Sequence, residues 1–277
     1  MRTVTSDPVV GSGDVLHREA DRPWLIRLPV CDSSNTWALA HLDTLDHGDV
    51  VWALEQRGGR GQHGRHWLSP PGCLCLSCVL DLPPHPANQR LALIAGLAVA
   101  LSVEDALPAI QVALKWPNDC LVNGAKLAGI LCEGRCSGTR HRIVVGIGLN
   151  RAPDWAAAGI DPDTVGQAVI GLDSLGAEPP PALDLIDSLH HYLLEGAGLI
   201  ATGRWDQLLP ALRQRDHLIG RRLRLDGGSG SQAPLHGHGA GIDDDGRLIL
   251  RDDHGAEHPI SSASVTILDP VVPQGAP

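Results

Sequence analysis

Apolar positions fall in two rhythms along the chain. Trp24–Val30, Val50–Leu54, Cys73–Leu80, Ala113–Trp116 and Ile143–Ile147 are short apolar runs bounded by turn-forming residues, which predicts strands. Asn88–Leu107 is apolar on most faces, so it reads as a buried helix with Glu104 and Asp105 near its end. In Ala182–Ile200, Leu183, Ile186, Leu189, Leu193 and Leu194 recur at helical spacing and predict a packing helix. Strands interleaved with helices from Trp24 to Asn150 predict an α/β or α+β domain. Residues 151–182, rich in Pro, Gly and Asp, read as a connecting or capping stretch with little regular structure. From Leu218 to Leu268 the rhythm shortens, with Arg222–Leu225, Arg247–Leu250 and Ser264–Ile267 punctuated by Gly-Gly-Ser-Gly and Asp-Asp-Asp-Gly turns, which suits a small β-barrel. The expected organisation is a loose leader over residues 1–22, a main domain over 23–217, a small β domain over 218–269 and a disordered tail over 270–277.

Composition narrows the chemistry. A chain of 277 residues can bury a substantial core, and with no Phe and a single Tyr that core must be aliphatic, with seven Trp as its few large rings. The formal charge of −10 argues against general affinity for nucleic acid, which depends on neutralising phosphates. No charged-then-apolar signal segment is visible, and the apolar run Leu91–Val103 is too short to span a bilayer, so a soluble cytoplasmic protein is expected. Seven Cys, an odd number without a secretory signal, point to reduced thiols and not to a disulfide framework. Cys73, Cys75 and Cys78 sit in a strand-like run without a second Cys-x2-Cys half, so no metal site is assigned to them.

Four segments carry candidate chemistry. Only two Lys occur, Lys115 and Lys126, and both fall in Leu114-Lys-Trp-Pro-Asn-Asp-Cys-Leu-Val-Asn-Gly-Ala-Lys-Leu-Ala-Gly-Ile-Leu131. A compact ammonium kept in an arginine-biased chain suggests close approach to an anion, although Asp119 or Glu133 could equally pair with Lys126 in a structural role. Asn123-Gly124 is a hairpin turn signal that makes Lys126–Leu131 a returning strand. The segment Glu55–Pro70 places Gly58, Gly59, Gly61 and Gly64 among Arg57, Arg60 and Arg65, so exposed N–H groups and guanidinium forks together suit a phosphate or carboxylate. It lacks the Gly-Lys-Ser/Thr of a Walker loop and the glycine spacing of a dinucleotide-binding turn. Asp32-Ser-Ser-Asn-Thr-Trp37 follows a strand; its Ser and Asn either cap the helix Thr36–Leu42 or face a small polar ligand. Val144-Val-Gly-Ile-Gly-Leu-Asn150 is a strand whose glycines clear room for something to lie flat against it, unless tight sheet packing explains them.

Taken in order and at these separations, the four segments resemble the biotin protein ligases. That family shows Ser-Thr-Asn, then Gln-Thr-Ala-Gly-Arg-Gly-Arg-x-Gly-Arg-x-Trp-x-Ser-Pro, then Lys-Trp-Pro-Asn-Asp with Lys-Leu-Ala-Gly-Ile-Leu-x-Glu, then Gly-x-Gly-x-Asn. The resemblance is strong from Trp24 to Asn150 and looser over the C-terminal β region. It implies an α+β fold in which a mixed central sheet is decorated by helices, similar to class II aminoacyl-tRNA synthetases, with an SH3-like C-terminal β-barrel. It also implies a two-step activity: biotin and ATP form biotinyl-5'-adenylate, and a lysine of a biotin carboxyl carrier domain of a carboxylase then takes the biotinyl group.

By the same resemblance, Ser33, Ser34, Asn35 and Gln56 meet the ureido end of biotin, and Arg60, Gly61 and Gln62 belong to the loop that closes over the adenylate. Lys126 stands near the biotin carboxylate and the α-phosphate, and Lys126, Arg60 and Arg65 are the expected catalytic cations. Arg60, Arg65, Trp67, Lys115, Asn118, Asp119 and Asn150 are expected around ATP and the adenylate. Mg2+ is expected with ATP, held by phosphates and water without protein ligands. Ser34 stands for the usual threonine, and Gln62 stands where most relatives carry arginine, which removes a charge from the loop. A lipoate or octanoate ligase shares the fold, but its loop typically ends in His-Asp, which this chain lacks. A biotin-dependent repressor needs a DNA-binding domain longer than the leader, so neither DNA nor a membrane is an expected partner, and a non-catalytic adenylate sensor is disfavoured because the catalytic residues are present.

Overall fold

The computed structural model describes residues 18–83, 88–137, 140–227 and 233–269. Its larger sheet is built from β1 (Arg18–Glu19), β2 (Arg22–Cys31), β3 (Val50–Gln56), β4 (Leu74–Leu82), β5 (Ala113–Lys115), β6 (Asp119–Val122), β7 (Ala125–Ser137) and β8 (Arg140–Leu149). The strand order is β1-β2-β3-β4-β8-β7-β6-β5, with β2 and β3 parallel and the other neighbours antiparallel. This is the mixed central sheet expected of the α+β class. Helices α1 (Ser34–Ala40), α2 (Asn88–Ala106), α3 (Ala182–Ala201) and α4 (Leu209–Gln214) surround it. The apolar faces of β5, β6, β7 and β8 pack on α2, whose Leu91, Ile94, Ala95, Val99 and Val103 are buried, and β4 packs on α3. The Asn123-Gly124 turn joins β6 to β7 with both residues at positive φ, 51° and 79°, as a two-residue hairpin requires.

Residues 18–22, expected in the leader, are ordered: β1 folds back on β2, and Arg18 makes a two-point ion pair with the buried Asp49 at 2.6 Å. A carboxylate that is buried needs such a partner, and sequence polarity alone does not show it. The remainder of the expected leader, and the tail from residue 270, lie outside the described residues.

The second sheet holds β9 (Arg222–Gly227), β10 (Leu235–Ile242), β11 (Leu248–Arg251), β12 (Glu257–Ile260) and β13 (Ala263–Ile267), all antiparallel in the order β12-β11-β10-β9-β13, an SH3-like arrangement. Its turn at 243–246 docks on the larger unit: Trp116 Nε1 donates to Gly246 O at 3.1 Å, Trp205 Nε1 to Asp244 O at 2.9 Å, and Arg90 pairs with Asp245 at 2.7 Å. Leu218, Leu223, Leu225, Leu248 and Leu250 join the same apolar core as α2 and the central sheet.

Candidate functional site

The ends of β2 and β3 and the start of α1 bring one polar cluster together. Ser33 caps α1, its hydroxyl accepting from Thr36 N at 3.4 Å, which is the capping reading of this segment. The next two side chains turn inward and are buried. Gln56 Oε1 accepts from Ser34 N at 2.9 Å and lies 3.2 Å from Ser34 Oγ, while Gln56 Nε2 donates to Ser69 Oγ at 3.1 Å. Asn35 Nδ2 donates to Leu131 O and to Glu133 Oε2, both at 3.1 Å, and Asn35 Oδ1 accepts from Ser77 Oγ at 2.6 Å. Both amide hydrogens of Asn35 are therefore used inside the protein, whereas Gln56 keeps one hydrogen and Ser34 keeps acceptor capacity.

The glycine-rich segment is a tight ribbon. Gly61 N donates to Arg65 O at 2.7 Å and Trp67 N to Gly59 O at 2.9 Å. A Cβ at Gly59 would stand 2.3 Å from Trp67 O, so the ribbon closes only with glycine there. The Trp67 ring is laid on the central sheet: a Cβ at Gly148 would be 2.3 Å from it, and one at Gly129 would be 3.0 Å from it. A Cβ at Gly146 would be 2.4 Å from Asn35 Oδ1. The clearances on β8 anticipated from its glycines are thus filled by the protein's own Trp67 and Asn35.

The cations differ in their commitments. Lys126, early in β7, pairs with Asp119 at 2.7 Å and lies 5.5 Å from the centre of the Trp67 ring. Of the two anionic partners open to Lys126 in the sequence, Asp119 is the one used, as an ion pair. Glu133 instead pairs with Arg60, Nη2 to Oε1 at 2.9 Å. Arg65 is exposed and has no carboxylate partner among the described residues. Lys115 is half-buried opposite Asp119; burial lowers its pKa, Asp119 opposes that, and the nearby Lys126 and Arg65 add to it.

One cavity of about 550 Å³ is lined by every site residue expected from the sequence except Lys115. Lys115 stands behind Asp119 in the β5–β6 pairing, so it affects the cavity's charge without forming its wall. Asn118 and Asn150 line it while bracing its frame, Asn118 Nδ2 donating to Ile130 O at 2.8 Å and Asn150 Nδ2 to Lys126 O at 3.3 Å. Ile130, Ile147 and Val169 give it apolar walls. The stretch 151–182 takes the capping role: Trp155, Val165, Gly166, Gln167 and Val169 close one side of the cavity, held by Lys126 N to Ala168 O at 2.8 Å and Ile170 N to Lys126 O at 3.0 Å. Sequence reasoning also missed Ser69 and Ser77, whose hydroxyls complete the polar cluster. Cys75 lines the cavity, and burial pushes its thiol and that of the neighbouring Cys73 up, so neither is a nucleophile at neutral pH. Among the described residues no group of three or more His, Cys, Asp or Glu is placed to hold a metal ion.

Residues 28–150 match the biotin/lipoate A/B protein ligase family and residues 222–268 match the biotin protein ligase C terminal domain. The biotin--[acetyl-CoA-carboxylase] ligase of Paracoccus denitrificans is 35% identical over 234 residues, covering 79% of this chain and 91% of that protein. The bifunctional ligase/repressor BirA of Salmonella typhimurium is 33% identical over 244 residues, 87% of this chain and 73% of that protein. Among solved structures, the biotin protein ligase from Aquifex aeolicus in complex with biotin and ATP superposes with a TM-score of 0.75 at 22% identity, covering 88% of this chain and 98% of that one.

Proposed function

The chain belongs to the biotin/lipoate A/B protein ligase family and is an enzyme of the biotin protein ligase type, and from that premise we propose that it joins biotin to ATP as biotinyl-5'-adenylate and passes the biotinyl group to a lysine of a biotin carboxyl carrier domain. The observation that carries this reading is the single cavity in which a hydroxyl and amide cluster, apolar walls and cationic tips follow one another. A cyclic urea needs an acceptor for its N–H groups and a donor for its carbonyl; Ser34 Oγ and the remaining Gln56 amide hydrogen offer both. Ile130 and Ile147 suit the fused rings and alkyl chain. Lys126 would then meet the carboxylate and the α-phosphate.

In the first step the carboxylate oxygen attacks the α-phosphorus and pyrophosphate leaves. Like charges must meet, so a preorganised ammonium and guanidinium lower the barrier. Lys126, which lines the cavity beside Asp119, and Arg65, which has no carboxylate partner among the described residues, would supply these charges. In the second step the neutral amine of the carrier lysine attacks the anhydride carbonyl and AMP leaves. The ribbon over 59–67, carrying Gly61, Gln62 and Trp67 at the cavity, would keep water from the anhydride between the two steps. Mg2+ would accompany ATP. The nearby Asp119 carboxylate is already paired with Lys126, so phosphate oxygens and water would supply most of its ligands. We further propose a main unit over 23–217 that holds the chemistry, a C-terminal unit over 218–269, and residence in the cytoplasm, where the free thiols Cys31, Cys73, Cys75, Cys78, Cys120 and Cys132 would stay reduced. Among the described residues no helix is long and apolar enough to cross a membrane.

The deciding measurement is exchange of labelled pyrophosphate into ATP with biotin, lipoate or octanoate as the only acid, followed by transfer to an isolated carrier domain. Exchange confined to biotin and a biotinylated carrier lysine are expected. Exchange with lipoate or octanoate alone would replace the substrate, and exchange without transfer would leave an adenylate-forming sensor.

A further inference from the structure

We propose that Glu133 is a positioning residue that clasps the glycine-rich ribbon across the cavity mouth, and that Arg60 serves the site through this clasp and not as a direct ligand of the substrate anion. Three elements meet at the pair. Arg60 lies on the ribbon and reaches Glu133 of β7 through two contacts, Nη2 to Oε1 at 2.9 Å and Nη1 to Oε2 at 3.3 Å, while Nη1 also lies 3.4 Å from Thr36 Oγ1 of α1. The carboxylate is itself aimed by Asn35 Nδ2 at 3.1 Å, and Asn35 is held by Ser77 Oγ and Leu131 O. A fork gripped at two points fixes direction as well as distance.

Fixing Arg60 also restrains the rest of the ribbon. Arg60 pairs with His66 across it, and the Gly61–Arg65 and Trp67–Gly59 hydrogen bonds carry that constraint to Gln62, Arg65 and Trp67, all of which line the cavity. Glu133 is not part of the cavity wall, and Lys126 has Asp119, so the Glu133 carboxylate is committed to Arg60 and Asn35. The clasp also gives Asn35 a role that uses both of its amide hydrogens. Its consequence for catalysis rests on the substrate reading above; its consequence for the ribbon does not.

The test compares wild type, Glu133→Gln and Glu133→Asp by hydrogen exchange of the ligand-free protein, then by kinetics of pyrophosphate exchange. Because Arg60 is about half exposed, the effect expected for Glu133→Gln is moderate: amides of 59–67 exchanging about five-fold faster. The biotin KM should rise by a similar factor with kcat within about two-fold of wild type, since the clasp preorganises binding. Glu133→Asp, which keeps the charge and loses reach, should fall in between. Ribbon exchange at the wild-type rate in both variants, or a fall in kcat at constant KM, overturns the clasp. Should Glu133→Gln also loosen the core strands β4 and β8, Glu133→Asp decides: a faster ribbon over a protected core supports the clasp, and an unaltered ribbon overturns it. A loosened ribbon in a protein that ignores biotin would sink the substrate reading and leave the clasp standing.

Discussion

At the scale of single residues, Lys126 is tied to both stability and chemistry, and the two can be separated. Its ammonium balances Asp119, and both side chains are about 15% exposed, so Lys126→Ala leaves that carboxylate with only the half-buried Lys115 opposite it, at a cost of about 1–3 kcal/mol, as well as removing a donor from the reacting oxygens. Adding Asp119→Asn removes the stranded charge. We expect thermal stability to recover in the double variant while adenylate formation stays about 10²–10³-fold slow, the loss typical of one oxyanion donor. Single-turnover adenylation beside a thermal melt checks both, and near-normal turnover by Lys126→Ala would demote the residue to a structural ion pair. Gln62 poses the opposite case. It lines the cavity on the ribbon without a charge, so Gln62→Arg should slow escape of the adenylate into solvent, measured by trapping released intermediate; an unchanged escape rate would remove position 62 from retention of the adenylate.

Among the elements, β8 shows how a glycine can announce room without naming the tenant. Trp67 fills the space at Gly148, so Gly148→Ala would press a methyl to 2.3 Å from the ring and push the indole, and with it the ribbon, off the sheet. Biotin affinity should fall further than stability, which calorimetric titration and a denaturant melt on the same sample can compare; equal losses would mean that Trp67 is only core. The occupant was illegible in the sequence because Trp67 and Gly148 lie far apart along the chain and meet through a ribbon whose path depends on Gly59. Other elements were legible for local reasons. Asn123-Gly124 needs positive φ at both positions, and α2 declares itself by a long run that is apolar on most faces and ends at Glu104 and Asp105. The wall at 165–169 left no such mark, since it joins Lys126 through backbone N–H and C=O groups that every residue possesses. The clasp was half visible: Glu133 stood out as a partner for a cation, but proximity in sequence favoured Lys126 over the Arg60 that the fold delivers.

For the molecule as a whole, the junction between the two sheets offers a pH-dependent handle. Leu114 N donates to Arg215 O at 2.7 Å and His217 N to Leu114 O at 2.9 Å, so the segment leading into β9 is hydrogen-bonded to β5 beside Lys115. Burial, reinforced by the positive charges of Arg221 and Lys115, lowers the His217 pKa from 6.5 to about 4. The neutral imidazole therefore belongs to the folded state, while the unfolded chain takes up its proton near 6.5. Between those values the unfolded state binds more protons, so the contribution is fully present above about pH 6.5, declines as pH falls and levels off below about pH 4. Burial also lowers the His190 pKa, with the same sign, so the wild-type slope alone does not isolate His217. His217→Asn does, because it deletes one titration and leaves the other. The urea midpoint of wild type should fall relative to that of the variant as pH drops from about 6.5 toward 4, the variant having the flatter profile. Parallel profiles across that window would show that His217 is as readily protonated in the folded chain as in the unfolded one, and that the junction carries no proton-linked strain. Because Leu218, Leu223 and Leu225 lie in the core shared by both sheets, strain there would be felt by α2 and the cavity frame together, so loss of the junction should appear as one cooperative transition.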